Sequence, residues 1–171
     1  DKIDDFIGTP LENKKISGSF LFESDFQPQK AHFSVSDLVG NWGVPVRYHD
    51  INSIVLDMAP PLVEIHLSYH DLALNTEDYL TQVYDQQLVI HAPELFAGDH
   101  TLDLCAENEV YRKKSIEHLQ GVIDLSEKIY SKFPHSGNRQ LIVNVGGFSE
   151  YRHFSVSERA PYYERLKDSL G

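Results

Sequence analysis

Several short apolar segments of this chain end in side chains able to move protons, hold an ion or grip an anion. Val44-Pro45-Val46 runs into Arg47 and His49; Leu62-Val63 leads to Glu64-Ile65-His66; Leu88-Val89-Ile90 ends at His91; Leu141-Ile142-Val143 ends at Asn144. A carboxylate beside imidazoles serves general acid–base chemistry or metal ligation, and a guanidinium binds carboxylate or phosphate. His91 leads the set. Each residue also has a structural reading: Arg47 with Glu64 as an internal ion pair, and His66 as a satisfied core histidine. His70, Asp71 and Asp103 suit turns and helix starts, where capping is the expected role. His32, His100, His118, His135 and His153 lack neighbours at metal-ligand spacing and are expected on surfaces or in loops. Gly146-Gly147 either brings backbone N–H groups to a phosphate or forms a tight turn.

The elements that must position these residues follow from periodicity. Side chains two apart share a strand face. Val44, Val46 and Tyr48 therefore oppose Pro45, Arg47 and His49; Val63, Ile65 and Leu67 oppose Glu64, His66 and Ser68; His91 shares a face with Val89, and Asn144 with Ile142. Strands are predicted at Val44–Tyr48, Leu62–Leu67, Leu88–Ile90 and Leu141–Val145. Helices are predicted at Ile51–Met58, Thr76–Tyr84, Asn108–Phe133 and Pro161–Leu170. In the third, Leu119, Val122, Ile123, Ser126, Ile129, Tyr130 and Phe133 recur at steps of a buried helix face. Pro161 is placed in a first turn, with Ser155 or Ser157 as the cap. Strand–helix alternation implies an α/β fold of parallel strands with the polar groups gathered at their carboxyl ends, where sites form.

Composition narrows the partners. The 171 residues are 41% hydrophobic and 24% charged, enough for a packed core, and the formal charge is −11. No basic stripe is present, so nucleic acid is not the expected partner, and no apolar run is long enough for a membrane helix. The single Cys105 forms no internal disulfide, in keeping with a reducing cytoplasm. No Walker loop, dinucleotide fingerprint, HExxH or GxSxG motif occurs. The one methionine is Met58, which suggests a segment of a longer polypeptide. Residues 1–40, punctuated by Gly8-Thr9-Pro10, Ser17-Gly18-Ser19 and Gln27-Pro28-Gln29, read as a connector with short strands at Phe20-Leu21-Phe22 and His32–Val35.

Residues 88–147 carry a resemblance. Leu88-Val89-Ile90-His91-Ala92-Pro93-Glu94, then Leu102-Asp103-Leu104-Cys105, Arg112 and Ser115-Ile116, and Leu141-Ile142-Val143-Asn144-Val145-Gly146 are similar to the endonuclease IV and xylose isomerase-like barrel superfamily. The sugar-phosphate isomerase/epimerase branch is the nearer fit. The runs Val44–Asp50, Leu62–Asp71 and His91–Asp99 further resemble the C-terminal region of bacterial proteins that begin with a sialic-acid (N-acetylneuraminate) synthase-type barrel.

The resemblance implies that residues 41–171 are four βα units, the first half of a (β/α)₈ TIM barrel, with 1–40 as connector. It implies a sugar or sugar phosphate as ligand, bound by Arg47, Glu64, His66, His91, Glu94 and Asn144. It also implies a divalent metal (Zn, Mn or Mg) touching His91 and completed by residues outside this chain. The fourth strand departs from the endonuclease pattern, since Asn144-Val145-Gly146 stands where His-Pro-Gly is common. An amide replaces imidazole poorly on zinc, which argues against a nuclease. The alternative is a non-catalytic carbohydrate-binding or assembly module. A half barrel also has open strand edges, so association with the rest of the polypeptide or with a second copy is expected.

Overall fold

A computed structural model describes residues 42–149 and 152–171; the expected connector at 1–40, with the short strands predicted in it, lies outside the described residues. The strands are β1 (Gly43–Val46), β2 (Leu62–His66), β3 (Gln87–His91), β4 (Leu95–Phe96), β5 (His100–Thr101) and β6 (Leu141–Ile142). The helices are α1 (Ile51–Met58), α2 (Glu109–Tyr130) and α3 (Val156–Leu170). β1, β2, β3 and β6 pair in that order as one parallel sheet, while β4 and β5 form a separate antiparallel hairpin. The α/β class with a parallel sheet is therefore as the alternation predicts.

The register separates two faces. Val44 pairs with Val63 and Val63 with Leu88; Val46 pairs with Ile65, Ile65 with Ile90, and Ile90 with Leu141. Val46, Val63, Ile65, Leu88 and Ile90 are buried, in a core that also holds Leu119, Val122, Leu125, Ile129 and Tyr130 of α2. The opposite face carries Pro45, Glu64, His66, Val89, His91 and Ile142, all half-buried or exposed. One apolar face and one polar face thus follow from the period-two pattern.

The helix boundaries have local causes. The Asn108 side chain accepts the Tyr111 N–H at 3.0 Å and starts α2. α1 ends on Ala59, which has φ 44° and donates its N–H to the Val55 carbonyl, just before Pro60-Pro61. Ser155 caps α3, with the Glu158 carboxylate returning to the Ser155 N–H at 2.9 Å. Pro161 consequently sits inside α3 rather than in its first turn, a correction to the expected start.

Thr76–Tyr84 is not a helix but a 3₁₀ turn at Thr76–Asp78 followed by irregular chain. Its backbone groups find tertiary partners instead: Asn52 Nδ2 donates to the Tyr79 carbonyl at 2.8 Å, and the Tyr84 N–H donates to the Lys132 carbonyl at 2.8 Å. β6 stops at Ile142, short of the predicted Val145, because the Val145 carbonyl instead accepts the Leu104 N–H at 2.9 Å.

Candidate functional site

Register explains the cluster at the carboxyl ends of β2 and β3. His66 and His91 are direct partners across the parallel pair, and Glu64 lies two residues earlier on the same face as His66. The imidazole rings meet edge to face with centroids 4.5 Å apart. Glu64 Oε1 lies 2.6 Å from His66 Nε2 and 3.1 Å from His91 Nδ1. The side chains of Glu64, His66 and His91 are 29%, 33% and 25% exposed, so the cluster is anchored in the sheet yet open on one side. Its donor atoms all lie within 4.8 Å of one another, an arrangement that could hold a metal ion. Chemically it offers one carboxylate and two imidazoles at a single point, suited to ligation or to proton exchange with a bound hydroxyl.

The remaining expected residues divide. The Arg47 guanidinium does not pair with Glu64; Arg47 Nη1 donates to the His66 main-chain carbonyl at 2.7 Å, and the Arg47 N–H donates to Asp50 at 2.6 Å. Arg47 is thus a clamp on the end of β2, and the internal ion pair is not formed. His49 is exposed, 3.8 Å from Asp50. Asn144 Nδ2 donates to Glu94 Oε1, joining the loops after β6 and β3.

Asp71 accepts the Ser68 N–H and hydroxyl at 2.6 and 2.8 Å, the local turn role expected of it. Asp103 Oδ1 accepts the N–H groups of Cys105 at 2.8 Å and Gly147 at 3.1 Å. At Gly146-Gly147 both glycines have positive φ, and the Gly147 N–H is already engaged by the Asp103 carboxylate rather than open to a phosphate. The Cys105 thiol is buried, and burial, with Asp103 repulsion added, pushes its pKa up despite Arg165. That is the wrong direction for a nucleophile. A separate cavity of about 290 Å³, lined by Cys105, Gly147, Phe154, Arg159 and Tyr162 among others, contains none of the cluster residues.

Two histidines expected on surfaces or in loops sit instead on β5 and α2, His100 buried and His118 half-buried. His100 is only 3% exposed, its Nε2 2.9 Å from Ser115 Oγ and its ring stacked on Tyr111 at 4.1 Å. His118 stacks on Phe96 at 4.4 Å, and its Nε2 is buried without a hydrogen-bond partner among the described residues. The Ala97-Gly98-Asp99 turn between Phe96 and His100 signals the β4–β5 hairpin that carries His100 against α2. Burial pulls both imidazoles below their ordinary pKa. At His100, repulsion from His118 and Lys114 adds to this; at His118, repulsion from Lys114 adds and Glu117 partly opposes.

A depressed folded value means that the unfolded chain takes up these protons first. Stability from the pair is therefore fully present above about pH 6.5 and declines as pH falls through that value. Urea midpoints measured between about pH 7.5 and about pH 5.5 should drop, and His118→Phe should flatten the dependence. An equally steep dependence in that variant would exclude His118 as a source.

Glu64, His66 and His91 are brought together; Arg47 reaches them only through a backbone carbonyl, and Glu94 and Asn144 form their own pair. Comparison with protein-family models, curated proteins and solved structures gives no match, so the geometry of this chain carries its functional reading.

Proposed function

We propose that residues 41–171 form the first half of a (β/α)₈ barrel of the sugar isomerase/epimerase type, serving nonulosonic (sialic) acid or related carbohydrate biosynthesis in the cytoplasm. The observation that supports this reading is the Glu64–His66–His91 cluster at the carboxyl ends of parallel strands, the end at which α/β enzymes build their sites. A sugar or sugar phosphate would lie over the polar face. Glu64, His66 and His91 would orient its hydroxyls and shuttle a proton beside the carbonyl, with Glu94 and Asn144 at the loop margin. A divalent metal (Zn, Mn or Mg), completed by strands outside this chain, would polarise the sugar oxygens. The charge of −11 disfavours the nuclease chemistry of related barrels. Among the described residues no helix is long and apolar enough to cross a membrane.

The test is turnover of aldose–ketose and epimer pairs, free and phosphorylated, by the full-length protein with added divalent metal. His91→Ala should lower kcat/KM by about 10²-fold or more, the scale of a lost proton-transfer or positioning group. Unchanged turnover removes His91 from the site. The Asn144–Glu94 pair favours a second reading, a non-catalytic carbohydrate-binding or assembly module, because it puts a committed amide where related barrels place a ligand imidazole. Saturable sugar binding without turnover would select it.

A further inference from the structure

We propose that Glu64, His66 and His91 form a three-ligand metal site of their own, for a first-row transition ion of the Zn²⁺ class and not for Mg²⁺. The proposal narrows the metal of the sugar reading, given there as Zn, Mn or Mg completed from outside, to this cluster alone, and it needs no sugar and no ligand from outside this chain.

The donor set argues first. Two imidazoles and one carboxylate suit Zn²⁺, Co²⁺ or Fe²⁺, whereas Mg²⁺ asks for oxygen ligands in near-ideal octahedral geometry. Two histidines with one glutamate is a known protein contribution to open zinc sites, where water or substrate takes the next position.

Geometry argues second. Zn–N and Zn–O bonds of about 2.0–2.1 Å set tetrahedral donors roughly 3.3–3.4 Å apart. Here Glu64 Oε1 stands 2.6 Å from His66 Nε2 and 3.1 Å from His91 Nδ1, with every donor separation inside 4.8 Å. Moving the Glu64 carboxylate back by roughly 0.7–0.8 Å from His66 Nε2 and roughly 0.2–0.3 Å from His91 Nδ1 reaches that spacing and makes room for an ion. The imidazole nitrogens that meet on Glu64 are the ones that would turn to the metal.

The frame is fixed by other means. His66 and His91 are register partners, and Arg47 grips the His66 carbonyl at 2.7 Å, so the β2 end does not depend on the ion. Exposures of 25–33% leave the remaining coordination positions facing solvent. One carboxylate and two neutral imidazoles leave a bound divalent ion with net charge about +1, which attracts an anionic or hydroxyl ligand.

The experiment is titration of the metal-free full chain with ZnCl₂, CoCl₂ and MgCl₂, following calorimetric heat and Co²⁺ visible d–d absorption. One Co²⁺ per chain is expected, displaced by Zn²⁺ and indifferent to excess Mg²⁺. His66→Ala, His91→Ala and the isosteric Glu64→Gln should each weaken binding by more than about 10²-fold, beyond the 10–100-fold typical of losing an outer-shell partner. His135→Ala and His153→Ala, at histidines outside the cluster, should leave it unchanged. Circular dichroism of each variant separates loss of the site from loss of the fold, and Glu64→Gln keeps the volume if an alanine variant unfolds. The proposal is overturned by absence of Co²⁺ binding, by binding that survives all three cluster substitutions, or by equal competition from Mg²⁺. Metal binding without sugar turnover upholds it while sinking the isomerase reading.

Discussion

Phe133→Ala is expected to destabilise the fold by about 3–5 kcal/mol, the range for deleting a buried aromatic ring. Phe133 is 1% exposed and stacks on Tyr84, ring centroids 4.7 Å apart and planes inclined by 12°. Tyr84 cannot collapse into the vacated volume: its N–H is tied to the Lys132 carbonyl at 2.8 Å and its hydroxyl to Asn52 Oδ1 at 2.5 Å. The cavity therefore persists, and its cost adds to the lost transfer free energy of the ring. Because Asn52 lies on α1 and Phe133 just past α2, the pair holds the irregular 79–86 segment between two helices. Chemical denaturation should show a lower midpoint with an unchanged slope, since the surface exposed on unfolding hardly alters. Leu56→Ala, at a side chain 83% exposed, should stay within about 0.5 kcal/mol of the parent. A Phe133→Ala cost below about 1 kcal/mol would show that the segment is anchored elsewhere.

The same segment shows where the sequence stops being readable. α1 lies at the predicted Ile51–Met58, and α2 within the predicted Asn108–Phe133, because α2 has its start signal at Asn108, α1 its stop at Ala59-Pro60-Pro61, and each an apolar stripe against the core. Leu80 and Tyr84 have helical spacing too, and both are buried. Tyr84 is held by stacking on Phe133 and by the side chain of Asn52, 32 residues earlier in the chain, so a local pattern says nothing of the outcome.

Site residues divide along the same line. Glu64, His66 and His91 could be placed on one face from alternation alone, because strand geometry leaves them no other side. Their mutual distance needed the register of β2 against β3, which long-range pairing sets. Arg47 lies past the end of β1, where alternation no longer fixes direction, and its guanidinium found a backbone carbonyl instead of Glu64. The burial of His100 and of the His118 Nε2 was not readable because it depends on the β4–β5 hairpin folding over α2.

Gly146→Ala should cost about 2–4 kcal/mol, combining left-handed backbone strain with a steric conflict that cannot relax. Gly146 has φ 91°, and a Cβ there would stand 2.2 Å from Asp103 Oδ1 and 2.6 Å from Asp103 Cα. The second contact is with backbone, so no rotamer change removes it. Asp103 is also held: its N–H donates to Ser115 Oγ at 3.1 Å, and its carboxylate binds the Cys105 and Gly147 N–H groups. Moving it would break at least one of these part-buried bonds, at about 1 kcal/mol for each group left unpaired. Gly98→Ala isolates the strain alone, since Gly98 has φ 75° and nothing within 4 Å of the added carbon. It should cost roughly 1–2 kcal/mol, the ordinary penalty for an L-residue in that region. The difference between the two variants therefore measures the approach of the loop after β6 to Asp103. Equal costs in paired thermal or urea melts would mean that the approach is looser than 2.6 Å, and the β6 loop would then be free to carry the Asn144–Glu94 pair away from the sheet end.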